Sequence, residues 1–206
     1  HTVEYYKTIT VLQTVQKHHC TVLNGVPSMF LAITRNPAHK DYDLSSLRNG
    51  IIAGSPVSEE EYDTIRREIP GLLLHASYGQ TETAPCVSIS DVGDAETERA
   101  TTAGRVLRHC EVRILAPDGA SLQTGEDGEI CVRGYNVMQG YYHLPEETAK
   151  TIDADGWLHT GDMGHLDGRN FLYITGRIKE MIIRGGENIS PREIEQVIRH
   201  YPGIRD

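Results

Sequence analysis

The sequence lacks any concentration of positive charge. Its 206 residues carry 20 Lys and Arg against 29 Asp and Glu, a formal net charge of −9, with no dense basic run. That balance argues against a surface built for nucleic acid, so a bound nucleotide would be gripped by a few local groups rather than by a global field. No apolar run approaches the ~20 residues needed to span a bilayer. The sequence opens at His1 without a signal-peptide pattern, although a start inside a longer protein would hide one. The four cysteines, Cys20, Cys86, Cys110 and Cys131, form no CxxC pair, and no HExxH occurs. Zinc ligation is therefore not predicted. The thiols are expected to pack as small hydrophobes in a reducing, cytoplasmic setting. Of ten histidines only His18 and His19 are adjacent, and outside the motifs below they read as structural or solvent-facing.

The first hundred residues alternate between helical and strand patterns. Residues 2–18 read as a helix, Thr21–Leu23 as a short β-prone run, and Ser28–Ile33 as a second helix after the break at Asn24-Gly25-Val26-Pro27. Ile51–Ala53 reads as a strand. Ser58 with Glu61 three residues on makes a capping box, and Tyr62, Ile65 and Ile69 mark one buried helix face. Pro70-Gly71 stops that helix, and Leu72 begins another strand. From about Thr101 the pattern becomes antiparallel β. Glu111–Leu115 and Gly128–Arg133 alternate polar with apolar residues, with Pro117-Asp118-Gly119 as the turn joining them. One short helix near Pro145–Lys150 follows, then a strand at Asn170–Ile174. Ser190-Pro191-Arg192-Glu193 opens a last helix with Pro at its first position and a second capping box, and Ile194, Val197, Ile198 and Tyr201 give its apolar face. The fold class is α/β, divided at 1–100, 101–176 and 177–206.

The chemistry concentrates in four ordered blocks. Tyr78-Gly79-Gln80-Thr81-Glu82-Thr83 follows the apolar Leu72–Leu74, and so sits at a strand end, where open α/β sheets place ligands. Its ring can stack on a purine, its hydroxyl can bond a phosphate oxygen, and its carboxylate can hold Mg²⁺. Asp155-Gly156-Trp157-Leu158-His159-Thr160-Gly161-Asp162 comes next, then Gly176-Arg177-Ile178-Lys179-Glu180, then Gly185-Gly186-Glu187-Asn188-Ile189-Ser190-Pro191. A carboxylate such as Asp162 can accept from both vicinal hydroxyls of a ribose, or equally cap an Asx turn after Gly161. Arg177 keeps its charge at any relevant pH and suits a ribose or a phosphate. Trp157, the only tryptophan, reads as a packing anchor.

Together these blocks resemble the adenylate-forming superfamily of acyl-CoA synthetases, peptide-synthetase adenylation domains and luciferases. Asn24–Pro27, Ala53-Gly54-Ser55-Pro56 and Gly128–Gly134 extend the likeness over nearly the whole chain, and the wording is most similar to a medium- or long-chain fatty acyl-CoA synthetase. The resemblance implies part of the large N-terminal domain, with α/β layers beside a distorted β-barrel, and the start of a small α+β domain at the C-terminal end. It implies ATP, Mg²⁺ and CoA as cofactor and co-substrates and a small carboxylic acid as substrate.

By the same resemblance Tyr78, with Gly79 and Gln80, lies on the adenine, Thr81 bonds a phosphate, and Glu82 binds Mg²⁺. Gly54, Ser55 and Pro56 line the adenine, where a missing Cβ lets the backbone approach, although that segment also reads as a helix lead-in. Asp162 holds the ribose, and Arg177 the ribose or a phosphate. Lys179 is the hinge between the two half-reactions, or an ordinary surface lysine. Gly185, Gly186 and Glu187 face the CoA arm in a hairpin turn. The acyl pocket falls to Asn24–Phe30, the Gly54 neighbourhood and Gly79–Pro85, where Gly25, Ala53, Gly79 and Ala84 leave room for an acyl chain. Tyr78 and Asp162 are expected to face one cleft.

Two departures temper the likeness. The family's Ser/Thr/Gly-rich phosphate loop with its following Lys does not occur, for the five lysines are Lys7, Lys17, Lys40, Lys150 and Lys179. The C-terminal catalytic Lys is also lacking. The expectation is an excerpt of a longer enzyme, incompetent alone and prone to self-association through uncovered surfaces. An amino-acid adenylation domain, a luciferase-like enzyme and a non-catalytic binding module are the alternatives.

Overall fold

The structure is a computed structural model that describes residues 5–184, 187–199 and 201. It divides into two compact units. The first holds the described residues up to Gly79 together with Ser88–Arg105, and the second holds Gln80–Val87 and the described residues from Val106 onward.

In the first unit α1 (Thr8–His18), α2 (Pro27–Thr34) and α3 (Glu59–Glu68) accompany the strands β1 (Asn49–Ile52), β2 (Leu73–Tyr78) and β3 (Ser88–Ile89), with the short helix α4 (Glu96–Thr101) before β4 (Arg105–Val106). The sheet order is β1-β2-β3-β4. β1 and β2 run parallel with Asn49 opposite Leu73, whereas β3 is antiparallel to β2. The parallel pair requires a crossover, and α3 supplies it. The Ser58 hydroxyl accepts from the Glu61 amide while the Glu61 carboxylate takes the Ser58 amide, so the predicted capping box forms in full. Tyr62, Ile65 and Ile69 are buried with Leu12, Phe30, Ile33, Leu72 and Leu74 in one core. The Tyr62 hydroxyl donates to the Leu74 carbonyl at 2.9 Å, which seats the only polar atom of that side chain.

Some boundaries differ from the sequence pattern. α1 begins at Thr8 rather than near residue 2, because Lys7 is extended and Tyr6 turns its hydroxyl to the Met29 carbonyl. Thr21–Leu23 forms no full strand. Val22 and Gly25 make isolated parallel bridges to β1, and the break at Asn24 is stitched to the sheet by its own side chain, which accepts from the Ile51 amide.

The second unit is a four-stranded antiparallel sheet in the order β5 (Cys110–Leu115), β6 (Gly128–Gly134), β7 (Leu158–Leu166), β8 (Leu172–Arg177). Among the described residues β5 and β8 are its edges, so it is open. The Pro117-Asp118-Gly119 turn does not join β5 directly to β6. It closes a tight loop in which the Ala116 amide donates to the Ala120 carbonyl and Leu115 bridges Ser121, and a second turn through Gln123 and Glu126 then leads to β6. β7 is the longest strand and carries Gly164 at a bulge, where any Cβ would collide with the Tyr173 carbonyl of β8. α5 (Pro145–Thr151) lies between β6 and β7. Trp157 is buried against Leu115 and Cys131 with the guanidinium groups of Arg113 and Arg133 at 4.2 and 4.5 Å from its ring, the packing anchor the sequence suggests.

β9 (Ile182–Arg184) and β10 (Glu187–Ile189) pair as a hairpin, and α6 (Pro191–Arg199) follows. The Ser190 hydroxyl donates to the Thr175 carbonyl of β8, and the Glu193 side chain of the expected second capping box lies outside the described residues. Ile194, Val197, Ile198 and Tyr201 are exposed.

Candidate functional site

Tyr78 ends β2, as expected of a residue displayed at a strand terminus, and is half-buried. After Gly79 the chain tightens into a single 3₁₀ turn, Thr81–Thr83, fixed by a reciprocal lock: the Gln80 amide donates to the Thr83 hydroxyl, which donates in turn to the Gln80 carbonyl. Thr83 is fully buried by this role, so the sequence block contains one structural threonine and one displayed threonine, Thr81, which is exposed. Ala84 adopts a left-handed backbone at φ 51° to end the turn.

Glu82 is held from two sides within its unit. Its backbone carbonyl accepts from the Met138 amide at 2.8 Å, and its Oε1 accepts from the Tyr141 hydroxyl at 2.8 Å. The Glu82 bond, followed by burial, raises the Tyr141 phenol above its usual range. Tyr141 is a residue the sequence reading passed over. It lies 59 positions from Glu82, and only the fold brings the two together. A carboxylate with one oxygen anchored and partial exposure fits a hard cation that keeps most of its own water.

Asp162 sits in β7 rather than in an Asx turn, with Arg177 of β8 as its register partner. The Arg177 Nε donates to Asp162 Oδ1 at 2.9 Å. The Asp162 side chain is nearly buried while the Arg177 side chain is 62% exposed, so a buried acceptor is paired with a solvent-facing cation. The Asp162 amide donates to the Thr160 hydroxyl, which itself bonds the Ile130 carbonyl, and this fixes the backbone on which the carboxylate rides.

Gly54, Ser55 and Pro56 form an exposed segment between β1 and α3, with Gly54 at φ +89°, a conformation that favours glycine. Lys179 lies exposed in the 3₁₀ turn Ile178–Glu180 directly after β8. Gly185 and Gly186 lie outside the described residues, as does the side chain of Glu187. Thus the structure brings together Asp162 with Arg177, and Glu82 with Tyr141.

A partly parallel α/β unit with polar loops at its strand ends defines a ligand-binding class of fold. Residues 2–142 match the family described as AMP-binding enzyme, and the chain belongs to that family. It is 45% identical over 205 residues to YngI of Bacillus subtilis, a provisionally named acyl-CoA synthetase, covering 99% of this chain and 37% of that protein. It is 37% identical to 4-coumarate–CoA ligase 2 of Nicotiana tabacum, covering 96% of this chain and 37% of that enzyme. Among solved structures it is similar to O-succinylbenzoate coenzyme A synthetase from Bacillus subtilis in complex with ATP and magnesium ion, at a TM-score of 0.83 and 31% identity, covering 98% of this chain and 41% of that one. The chain therefore spans 37% of the length of these curated relatives. No helix among the described residues is long and apolar enough to cross a membrane.

Proposed function

We propose that this chain supplies the adenosine side of an ATP-dependent ligase that activates a carboxylic acid as its acyl-adenylate and passes the acyl group to the thiol of CoA. The observation that carries the reading is the Asp162–Arg177 pair. A nearly buried carboxylate on a strand, with a solvent-facing cation beside it, suits two vicinal hydroxyls that must be bonded without water. Tyr78 would lie on the adenine beside Gly54, Ser55 and Pro56, with Gly79 and Gln80 shaping the approach. Thr81 would donate to a phosphate oxygen.

Glu82, one oxygen already on Tyr141, would offer the other to Mg²⁺, which supplies charge neutralisation at the phosphates. In the first half-reaction an oxygen of the acid bonds to the α-phosphorus of ATP and pyrophosphate departs. In the second the CoA thiol gives up its proton to solvent, its sulfur bonds to the acyl carbon, and AMP departs with the bonding pair. Lys179, exposed at the first turn after β8, would be the pivot between the two. Gly185, Gly186 and Glu187 would lie beside the CoA arm.

The acid we favour is a fatty acid. Support comes from the small residues Gly25, Ala53, Gly79 and Ala84 at the proposed pocket positions and from the 45% identity to an acyl-CoA synthetase. A second reading, an aryl-propenoic acid, is favoured by the 37% identity to a 4-coumarate ligase. The test is a segment exchange: this chain replaces the matching segment of a full-length relative, and acid-dependent pyrophosphate exchange is measured over aliphatic and aromatic acids. The proposal expects exchange, strongest with fatty acids, that falls steeply on Glu82→Gln. Exchange indifferent to Glu82 would remove the assigned site, and a preference for aromatic acids would favour the second reading.

A further inference from the structure

Glu129, Cys131 and His159 meet on one face of the β6–β7 ladder. Cys131 and His159 are register partners across the two strands, and Glu129 is two residues from Cys131 along β6, past a shift in register. Their donor atoms all lie within 4.8 Å of one another. The His159 Nδ1 is 2.9 Å from Glu129 Oε2 and 3.5 Å from Cys131 Sγ. Three Lewis-basic atoms thus converge where one N–H can serve only one of them well.

Two further contacts suit the cluster to a cation rather than a proton. Glu129 Oε1 already accepts the Gly161 amide at 3.2 Å, which leaves Oε2 turned inward as a single-oxygen ligand. On the far side of the imidazole, Nε2 lies 3.9 Å from Asp153 Oδ2. That carboxylate is itself held by Arg113 at 3.0 Å and by the amides of Asp155 and Trp157. A carboxylate near one ring nitrogen favours the proton there electrostatically and leaves the other nitrogen as a ligand.

We propose that Glu129, Cys131 and His159 bind one borderline divalent cation of the zinc class, with a fourth position open to water. A tetrahedral ion with bonds of about 2.3 Å to sulfur and about 2.0–2.2 Å to nitrogen and oxygen sets its ligand atoms about 3.4 Å apart for N and O and about 3.6 Å for N and S. The observed N–S distance already fits, the 2.9 Å N–O contact need open by about half an ångström, and the S–O edge, within 4.8 Å, would settle at about 3.6 Å. The charges balance: the thiol proton leaves to solvent as the sulfur–metal bond forms, and one thiolate with one carboxylate neutralises the dication. Cys131 is fully buried while His159 and Glu129 retain side-chain exposures of 33% and 21%, which gives an ion a way in.

The test titrates the 206-residue chain with Co²⁺, reading the near-ultraviolet sulfur-to-cobalt charge-transfer band and the visible bands of tetrahedral cobalt, followed by displacement with Zn²⁺. The site predicts saturation at one equivalent, at least ~10-fold weaker binding in Glu129→Gln, and loss of the charge-transfer band in Cys131→Ser. The band should be unchanged in Cys86→Ser and Cys110→Ser. If Cys131→Ser loses its fold by circular dichroism, Glu129→Gln alone decides. No charge-transfer band in the wild-type chain, or a band and affinity indifferent to Glu129→Gln, would overturn the proposal.

Discussion

Tyr141→Phe isolates one hydrogen bond at the proposed cation ligand. The phenol donates to Glu82 Oε1 at 2.8 Å, and bonds to a charged group contribute roughly 1.5–3 kcal/mol. Both side chains are only partly buried, so solvent competes and about 1 kcal/mol is the working figure. If Tyr141 fixes Glu82 for Mg²⁺, that loss weakens binding of Mg·ATP to the chain about fivefold, while AMP without metal binds as before.

Calorimetric titration of both ligands into wild type and variant reads the contrast directly. The phenol's raised pKa adds a second readout. A group whose folded value lies above its unfolded value, about 10, stabilises the fold below that pH and loses the effect as pH rises through the folded value. Tyr141→Phe should therefore abolish one component of alkaline destabilisation. Equal weakening of AMP and Mg·ATP would refute the argument, since it would place Tyr141 in general scaffolding rather than at the cation ligand. An unchanged Mg·ATP affinity would refute it as well.

Three further outcomes test the fold. Ser58→Ala removes the cap of α3 and should cost ~1 kcal/mol in urea denaturation, with Ser45→Ala, an exposed loop position, as a smaller comparison. Tyr62→Phe strips the hydroxyl that the Leu74 carbonyl accepts in the core and should destabilise by about 0.5–1.5 kcal/mol, seen as a lower denaturation midpoint at unchanged slope. The hydrogen bond from Arg133, with its charge, holds the Glu111 carboxyl below its usual range. Its contribution is present above the unfolded pKa and fades as pH falls through the folded one, so Glu111→Gln should lower stability slightly at neutral pH, converge with the wild type in acid, and so flatten the acid limb of the stability–pH curve.

Local chemistry was legible in the sequence and cross-strand chemistry was not. The Ser58–Glu61 box and the buried Tyr62, Ile65 and Ile69 follow from spacing alone, because a helix joins residues three and four apart. Trp157 reads as an anchor for a similar local reason, lying between turns. β7 escaped detection as a strand because His159-Thr160-Gly161-Asp162 alternates poorly and carries glycine, yet its bulge and the close approach of Gly164 to β8 demand just such residues.

The partners Glu82–Tyr141, Asp162–Arg177 and Cys131–His159 are separated by 59, 15 and 28 positions. No spacing rule finds such pairs: the family resemblance set Asp162 and Arg177 at one ligand, and only the register of the sheet or the path of a loop supplies their contact and the other two pairs. The CxxC and HExxH patterns find ligands on one turn or one helix face. A thiol and an imidazole facing each other across β6 and β7 lie outside their reach.

The central claim is that Asp162 bonds the sugar of an adenine nucleotide. The direct measurement is titration of AMP, without metal, into the chain and into Asp162→Asn, with Asp127→Asn as a carboxylate control on the same unit and folding checked by circular dichroism. Removing charge-assisted bonds of roughly 1.5–3 kcal/mol predicts AMP binding about 10- to 100-fold weaker in Asp162→Asn and unchanged in Asp127→Asn. AMP affinity equal in the wild-type chain and a folded Asp162→Asn variant would contradict the account.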